Sequence, residues 1–264
     1  MIRALIHALE APFRFLTRAI WEIQSYTFLS SRAIANLFTR PIYMREVVQQ
    51  MDRIGVGSLT IILLTGFFTG AVLAIQSESA LRRYGAVSIT GQLVAITLVR
   101  ELGPVLSALM LSGRIGSGVA SELGSMVVSE QINAMRALGT DPIRKLVLPR
   151  ILAGVLMVPL LTVVSGGIGM VGAWIVTVFQ LKVASSVYWN SVVTGLYIQD
   201  VWMGLIKPFF IGFAIVSIGC HVGLRTKGGT QGVGRSTTNA VVASSVAVIV
   251  VDFLVTKVLI ELMY

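Results

Sequence analysis

Charged side chains that stand inside apolar sequence are the residues most able to do chemistry in this chain. Arg100 and Glu101 adjoin within the stretch 88–128, and Lys207 interrupts the apolar run 201–224. A charge at membrane depth is costly, so it marks a functional site or a buried ion pair. Adjacent helical residues point about 100° apart, so Arg100 and Glu101 can each reach another helix, Lys207 or a second copy of the chain. Both interpretations, a salt bridge within the helix bundle and a ligand site, stay open.

A second group of charges predicts a structural role. Arg114 and Glu122 lie eight residues apart, just over two helical turns, so they share roughly one face. Asp252 and Lys257 lie near one end of the last apolar run, where they can pair or extend toward water. The sequence assigns these last two no function.

A glycine motif resembles a nucleotide site but lacks its context. Gly167, Gly169 and Gly172 match G-x-G-x-x-G, yet no strand precedes them and no acidic residue follows about 20 positions on. Small residues in an apolar run favour close helix packing instead. No lysine is followed by Ser or Thr, so no P-loop is present. If the protein uses ATP, another chain must bind it.

Few residues are available for metal binding or nucleophilic catalysis. His7 and His221 are the only histidines and lie far apart, and Cys220 is the only cysteine. A metal cluster and a Ser-His-Asp triad are therefore not expected, and the chain is predicted not to be an enzyme.

The composition identifies the elements that must position these side chains. The chain has 264 residues, of which 55% are hydrophobic and 12% charged, and its mean hydropathy is +0.84. Soluble domains carry about 25% charged residues, so a soluble or disordered protein is excluded. The net charge of +9 favours anionic lipid and the cytoplasm as its environment, with no nucleic-acid partner expected.

Uncharged runs long enough to cross a bilayer predict an all-α integral membrane protein with about five transmembrane helices. The second helix is expected to kink near Pro104, which removes a backbone donor. The predicted spans are about 54–80, 88–128, 148–181, 201–224 and 237–262.

The distribution of Lys and Arg predicts the orientation. Most of these residues fall in segments that are cytoplasmic if the N-terminus is inside, which places the C-terminus on the periplasmic side. Residues 1–50 form a separate region with Arg14 and Arg18 on one face, as in an amphipathic helix lying at the membrane interface; residues 51–264 form the transmembrane domain. An ordinary solvated helix is the alternative for the N-terminal region.

The cytoplasmic segment 129–150 predicts a short helix between two spans. Ser129, Glu130 and Gln131 can begin it, since they offer an N-cap and an early acid. Gly139 can end it, and Asp141 and Pro142 can begin the next element. Such a helix could contact a cytoplasmic partner, whereas the alternative is an inert connection.

Several spaced motifs together resemble the MlaE family of ABC-transporter permeases. The similarity extends from about Gly55 to Leu262 and continues through Gly234-Arg235-Ser236-Thr237-Thr238 into the last span. The other motifs are Arg100-Glu101-Leu102-Gly103-Pro104, Ser112-Gly113-Arg114-Ile115-Gly116-Ser117, Ala120-Ser121-Glu122-Leu123-Gly124, Glu130-Gln131-Ile132, Gly139-Thr140-Asp141-Pro142 and Pro149-Arg150.

The resemblance implies a homodimeric permease of a Gram-negative inner membrane. It would move phospholipids between that membrane and the periplasm and so maintain outer-membrane lipid asymmetry. Its partners would be a cytoplasmic ABC ATPase, a STAS-domain protein and a periplasmic MCE-domain hexamer. ATP and Mg²⁺ would bind to the ATPase, and this chain would carry no cofactor.

The resemblance also implies roles for particular residues. The segment around Glu130, Gln131, Asp141 and Pro142 would be a coupling helix that contacts the ATPase. A lipid cavity would have an apolar wall and a polar floor. The expected cavity residues are Leu73, Leu81 and Tyr84 in the wall and Arg100, Glu101 and Lys207 in the floor.

Two other functions compete with this interpretation. A membrane scaffold would anchor the ATPase and the periplasmic lipid-binding partner without forming the pathway, and substitution of Glu101 would then leave function intact. A secondary transporter would show inverted repeats, but five spans cannot be divided into equal halves.

Overall fold

The computed structural model describes residues 2–37 and 43–263, with the side chains of 17, 20–37 and 43–263. Those residues contain no β-strand, which confirms the predicted all-α class. The helices are α1 (Ile2–Leu37), α2 (Met44–Ile54), α3 (Leu59–Arg83), α4 (Thr90–Thr97), α5 (Gly103–Leu111), α6 (Ser117–Val128), α7 (Gln131–Ala137), α8 (Leu148–Phe179), α9 (Ser185–Gly195), α10 (Ile198–Leu224) and α11 (Gly229–Met263). Short 3₁₀ turns occupy Val56–Ser58 and Val87–Ile89.

Four helical segments of the described chain are long and apolar enough to cross a membrane. They are Met44–Arg83, Val87–Val128, Ile143–Phe179 and Ile198–Leu224. The first, second and fourth predicted spans fall within these segments, and the third, 148–181, extends two residues beyond Phe179. The chain is therefore a multi-pass membrane protein. The fifth predicted span, 237–262, lies within α11, a helix of 35 residues that packs on α10 and α6. It is not among the four, so its crossing and the orientation of the termini stay predictions.

The helix of the second span contains two π-helical turns. The first, Leu98–Leu102, comes directly before Gly103 and Pro104, where the sequence predicted a kink. A wider π turn allows the helix to continue although proline offers no backbone N–H to the hydrogen-bond ladder. The second, Ser112–Gly116, carries Arg114, so each π turn holds a charged residue of this span.

Glycines bring α3 and α8 into close contact. A Cβ added at Gly70 would collide with the backbone of Gly169, and one at Gly172 would collide with the carbonyl of Phe67. Backbones can approach this closely only where side chains are absent. The predicted packing role therefore applies to Gly169 and Gly172, while Gly167 has no neighbour within 4 Å of an added Cβ.

The N-terminal helix is attached to the bundle by polar contacts. The Tyr26 hydroxyl lies 2.8 Å from Ser217 Oγ, and the Glu22 carboxylate accepts a 2.7 Å hydrogen bond from Arg225. The side chains of Arg14 and Arg18 lie outside the described residues. The boundary drawn at residue 50 falls inside α2, and the division into two regions stays a prediction.

Between the third and fourth spans the structure contains α9, which the sequence did not predict. Tyr188 anchors this helix: its side chain is buried and its hydroxyl donates a 2.8 Å hydrogen bond to the carbonyl of Met170. Burial raises the pKa of Tyr188. Trp174 Nε1 donates a 2.8 Å hydrogen bond to Ser185 Oγ at the start of α9, so the connection is a packed element of the bundle.

Candidate functional site

A buried lysine joins three helical elements. The Lys207 ammonium donates hydrogen bonds of 2.7 Å to Glu101 Oε2 and of 2.8 Å to the Arg100 carbonyl. Asp252 Oδ1 of α11 lies 3.6 Å from the same ammonium. The Lys207 side chain has no exposed surface, so its charge depends on these partners for compensation. The first π turn, α10 and α11 are thereby held together.

Arg100 points to a different carboxylate. Its Nη1 lies 3.5 Å from Asp200 Oδ1, and Asp200 is only 2% exposed. The other oxygen of Asp200 accepts a 3.1 Å hydrogen bond from the backbone N–H of Tyr197 at the start of α10. Asp200 therefore caps α10 and fixes Arg100 at once.

We call these five residues the Lys207 cluster: Arg100, Glu101, Asp200, Lys207 and Asp252. It contains three carboxylates and two cations. The family resemblance implied that Arg100, Glu101 and Lys207 form the floor of the cavity, and the structure brings these three residues together. Sequence reasoning did not connect Asp200 with them and gave Asp252 no function, although a charge in an apolar run was a signal for the latter.

Exposure decides which cluster residues a ligand could contact. The Glu101 side chain is 41% exposed and that of Arg100 28%, whereas Lys207 is fully enclosed. Arg100, which is paired with Asp200, is therefore the more exposed of the two cations of the cluster. Lys207 supports the floor from behind.

An apolar groove lies beside the cluster, between α3 and α5. Its volume is about 360 Å³, and Leu73 and Leu102 both line it. The remaining lining residues are Phe68, Thr69, Val72, Gln76 and Leu106. Of the three predicted wall residues only Leu73 borders this groove, because Leu81 is buried and Tyr84 lies 84% exposed beyond the end of α3.

The predicted short helix between the second and third spans is present as α7. Its buried Ile132 anchors it to the bundle, whereas Glu130 and Gln131 are exposed. Glu130 adopts a left-handed backbone conformation with φ of 59°, and its carboxylate contacts the Asn133 amide. An exposed helix on a buried anchor can contact another protein.

The start of α7 differs in one detail from the sequence prediction. The residue that caps the helix is Glu130, and its side chain makes no hydrogen bond to the backbone N–H groups of the first turn. Ser129 Oγ instead donates to the carbonyl of Ser125 at 2.8 Å, which completes the preceding helix. The left-handed turn between the two helices prevents Ser129 from acting as the N-cap.

After α7 the chain turns where Gly139 and Asp141 were expected to end one helix and begin the next. Gly139 has φ of 75°, a conformation that glycine adopts without strain. Asp141 Oδ1 accepts a 3.0 Å hydrogen bond from the N–H of Ile143, and Asp141 Oδ2 lies 3.3 Å from Arg32 of α1. Asp141 thus connects this turn to the N-terminal helix, and Pro142 begins the next helical turn.

A second set of charges lies near the same end of the bundle as α7. Glu122 accepts 2.8 Å hydrogen bonds from Arg53 and from Arg150. Arg114 and Glu122 line the same pocket, which confirms that they share a face. We call Arg53, Glu122 and Arg150 the Glu122 cluster.

These features define a multi-pass helical membrane protein in which ion pairs join helices of the bundle and an apolar groove lies between α3 and α5. The described residues contain no group of three or more His, Cys, Asp or Glu that could hold a metal ion. The family model described as Permease MlaE matches residues 47–258. The chain belongs to the MlaE permease family, and it is an ABC-transporter permease.

Individual relatives agree with the family match over most of their length. A probable ABC transporter permease protein of Rickettsia felis is 39% identical over 236 residues, covering 89% of this chain and 91% of that protein. The intermembrane phospholipid transport system permease protein MlaE of Haemophilus influenzae is 36% identical, covering 81% and 82%. Protein TRIGALACTOSYLDIACYLGLYCEROL 1, chloroplastic, of Arabidopsis thaliana is 34% identical, covering 94% and 71%.

Proposed function

We propose that this chain is the phospholipid-conducting permease of an ABC transporter in a bacterial inner membrane. The observation that carries the proposal is the apolar groove whose lining residue Leu102 directly follows Glu101 of the Lys207 cluster, in which the Arg100 side chain is 28% exposed. An acyl chain needs only apolar surface that excludes water, and a phosphate group is bound strongly by a guanidinium. The Haemophilus influenzae relative is named for intermembrane phospholipid transport, which supports this substrate.

The proposed assembly contains two copies of this chain. A separate ABC ATPase binds ATP and Mg²⁺ and hydrolyses the nucleotide, because the sequence contains no P-loop. A STAS-domain protein and a periplasmic MCE-domain hexamer complete the complex. The complex maintains lipid asymmetry of the outer membrane.

In this proposal α7 transmits the movement of the ATPase to the groove. Glu130 and Gln131 offer exposed polar contacts, while Asp141 and Pro142 connect α7 to α1 and to the third span. The N-terminus and α7 face the cytoplasm, as the distribution of basic residues predicts. Approach of the two ATPase chains moves the two copies of this chain together, narrows the groove beside the Lys207 cluster and displaces the lipid.

Substitution of one carboxylate separates a pathway from a scaffold. Glu101→Gln removes an exposed charge of the cluster but leaves Asp252 to compensate Lys207, so the chain should still fold and assemble. We expect ATP-driven phospholipid transfer by the purified complex in proteoliposomes to fall at least about tenfold, the effect of 1.4 kcal/mol on a barrier.

Glu261→Gln is the matched control, since Glu261 is an exposed carboxylate at the end of α11. It should leave transfer unchanged. If Glu101→Gln complexes assemble and transfer lipid at the wild-type rate, the pathway proposal is wrong and the chain acts as a scaffold.

A further inference from the structure

The pocket lined by Arg114 and Glu122 lies farther along the second span than the Lys207 cluster, near the Glu122 cluster. Its volume is about 550 Å³, and it lies between the α2–α3 junction and the helix that contains the second π turn. The lining residues are Gln50, Asp52, Arg53, Ile54, Val56, Gly57, Arg114, Ile115, Gly118, Val119 and Glu122.

Arg114 differs from Arg53, the other cation of this pocket, because Arg53 pairs with Glu122. Its Nε donates a 3.0 Å hydrogen bond to Ser58 Oγ, and its guanidinium rests against Gly57, where a Cβ would come within 2.6 Å of Nη2. In the part of the chain that the structure describes, no carboxylate lies within 4.0 Å of it. The remaining N–H groups of an exposed guanidinium are therefore available to a ligand.

The ion pairs around the pocket leave Arg114 without a carboxylate partner among the residues that the structure describes. The lining holds two arginines, Arg53 and Arg114, and two carboxylates, Asp52 and Glu122. Glu122 is engaged by Arg53 and also by Arg150, which reaches it from outside the lining. Since Glu122 already has two partners, Arg114 is the arginine of the lining that an added anion would pair with.

The depth of Arg114 fits the boundary between headgroups and acyl chains. Its partner Ser58 lies five residues after Arg53, and the apolar run of the first span begins at Ile54. Arg114 is thus held little more than one helical turn, roughly 5.4 Å, inside that run. An arginine at this depth can reach a lipid phosphate.

An exposed apolar surface leads from this pocket to the groove beside the Lys207 cluster. Partly or fully exposed residues recur every fourth position on α3 and on the second-span helix, so each set lies on one face. They are Thr60, Leu64, Phe68 and Val72 on α3, and Leu102, Leu106 and Met110 before Arg114 on the other helix. From Leu102 to Arg114 the helix rises about 18 Å, close to half of the roughly 30 Å hydrocarbon layer.

We propose that the pocket around Arg114 binds the phosphate of a phospholipid headgroup, with an acyl chain along the surface between α3 and α5. A guanidinium offers paired N–H groups to phosphate oxygens. The adjoining apolar surface is close in length to the acyl chains of one leaflet. The inference deepens the proposed function, because it gives lipid of the cytoplasmic leaflet a binding site of its own.

A cysteine placed in the pocket reports on its occupancy. Gly118 lines the pocket, and a Cβ at this position has no atom within 4 Å, so Gly118→Cys should fold normally. The native Cys220 is fully buried and should not react. The full-length variant is purified in detergent, and the rate of alkylation by a water-soluble maleimide is measured with added phosphatidylglycerol, with diacylglycerol of the same chains or with inorganic phosphate.

We expect phosphatidylglycerol at ten times its dissociation constant to slow alkylation about tenfold. Diacylglycerol and inorganic phosphate should each protect far less. Adding Arg114→Gln should abolish protection and Arg114→Lys should retain part of it, whereas Arg83→Gln, which removes an exposed arginine at the far end of α3, should change nothing.

Three results would overturn the inference. Equal protection by inorganic phosphate would show a free-anion site, and equal protection by diacylglycerol would show that Arg114 plays no part. If no lipid protects the cysteine and its alkylation slows as the protein concentration rises, a second copy of the chain covers the pocket. Because the assay measures occupancy and not transfer, a failure of the proposed function would leave its result intact.

Discussion

The two charged regions of the second span are built in opposite ways. At the first π turn, Lys207 is a single enclosed cation with two carboxylates around it. At the other end of the span, Glu122 is a single carboxylate between two arginines, and Arg114 on the second π turn has no carboxylate partner in the described chain. The first arrangement encloses Lys207 and joins helices, and its partly exposed Arg100 is paired with Asp200. The second leaves Arg114 without a carboxylate partner among the described residues.

The two regions should differ in the free energy that is lost when one partner of an ion pair is removed. Removing one partner of a buried ion pair strands the other without water, at a cost of about 3–5 kcal/mol. Removing one partner of an exposed pair leaves the other hydrated and costs about 0–1 kcal/mol. Stability measurements on matched variants should therefore rank the residues by their enclosure.

Lys207→Met should have the largest effect. It strands Asp252, whose side chain is 14% exposed, and breaks the contact between the first π turn, α10 and α11. We expect a loss of about 3–5 kcal/mol in the free energy of unfolding, measured by denaturant titration in detergent. The double variant Lys207→Met, Asp252→Asn should recover part of the loss, and wild-type stability of the single variant would refute the closed arrangement.

Arg150→Gln should have the next largest effect. The Arg150 side chain is 6% exposed, and it donates to Glu122 Oε2 and to the carbonyl of Leu146. Hydrogen bonds of charged groups contribute about 1.5–3 kcal/mol each. The free energy of unfolding, measured by the same titration, should therefore fall by a corresponding amount. A loss of unfolding free energy smaller than that expected for an exposed ion pair would show that water hydrates Arg150.

Arg53→Gln is the matched comparison on the same carboxylate. Arg53 reaches Glu122 at the same 2.8 Å distance, but its side chain is 60% exposed. The loss should be only about 0.2–1 kcal/mol, and raised salt should reduce it further. A loss equal to that of Arg150→Gln would mean that geometry, and not enclosure, determines the strength of these pairs.

Arg114→Gln should have the smallest effect on stability. An exposed side chain whose only described hydrogen bond joins it to Ser58 contributes within about 0.5 kcal/mol. The same variant should lose the lipid protection described above. A large loss of stability would instead make Arg114 a structural residue, as the sequence suggested.

Hydropathy located the charged residues because the apolar runs that surround them are long. The sequence named Lys207 as a possible partner of Arg100 and Glu101, and the structure confirms the pair between Lys207 and Glu101. It did not identify Asp200 and Asp252, which reach the cluster from α10 and α11 through packing that no local pattern encodes. The π turns were equally hidden: Pro104 predicted an irregularity, but the turn at Ser112–Gly116 contains no proline.

Short elements show where local signals suffice. The helix α7 was predicted because Gly139, Asp141 and Pro142 mark its end, and turn residues act through local geometry. The helix α9 was missed because its 11 residues carry no strong helical pattern. Its position depends on Tyr188 and on packing against α8, which are tertiary contacts.

The most direct test of the central claim is ATP-dependent transfer of a fluorescent phospholipid by the complete complex in proteoliposomes, measured together with ATP turnover for wild type and Glu130→Lys. Lipid should move only when ATP is hydrolysed, and the variant, altered at the exposed start of α7, should assemble and retain bound lipid but lose coupled transfer. Transfer at the same rate without ATP, or undiminished transfer by the variant, would contradict the account of this chain as a lipid pathway driven through α7.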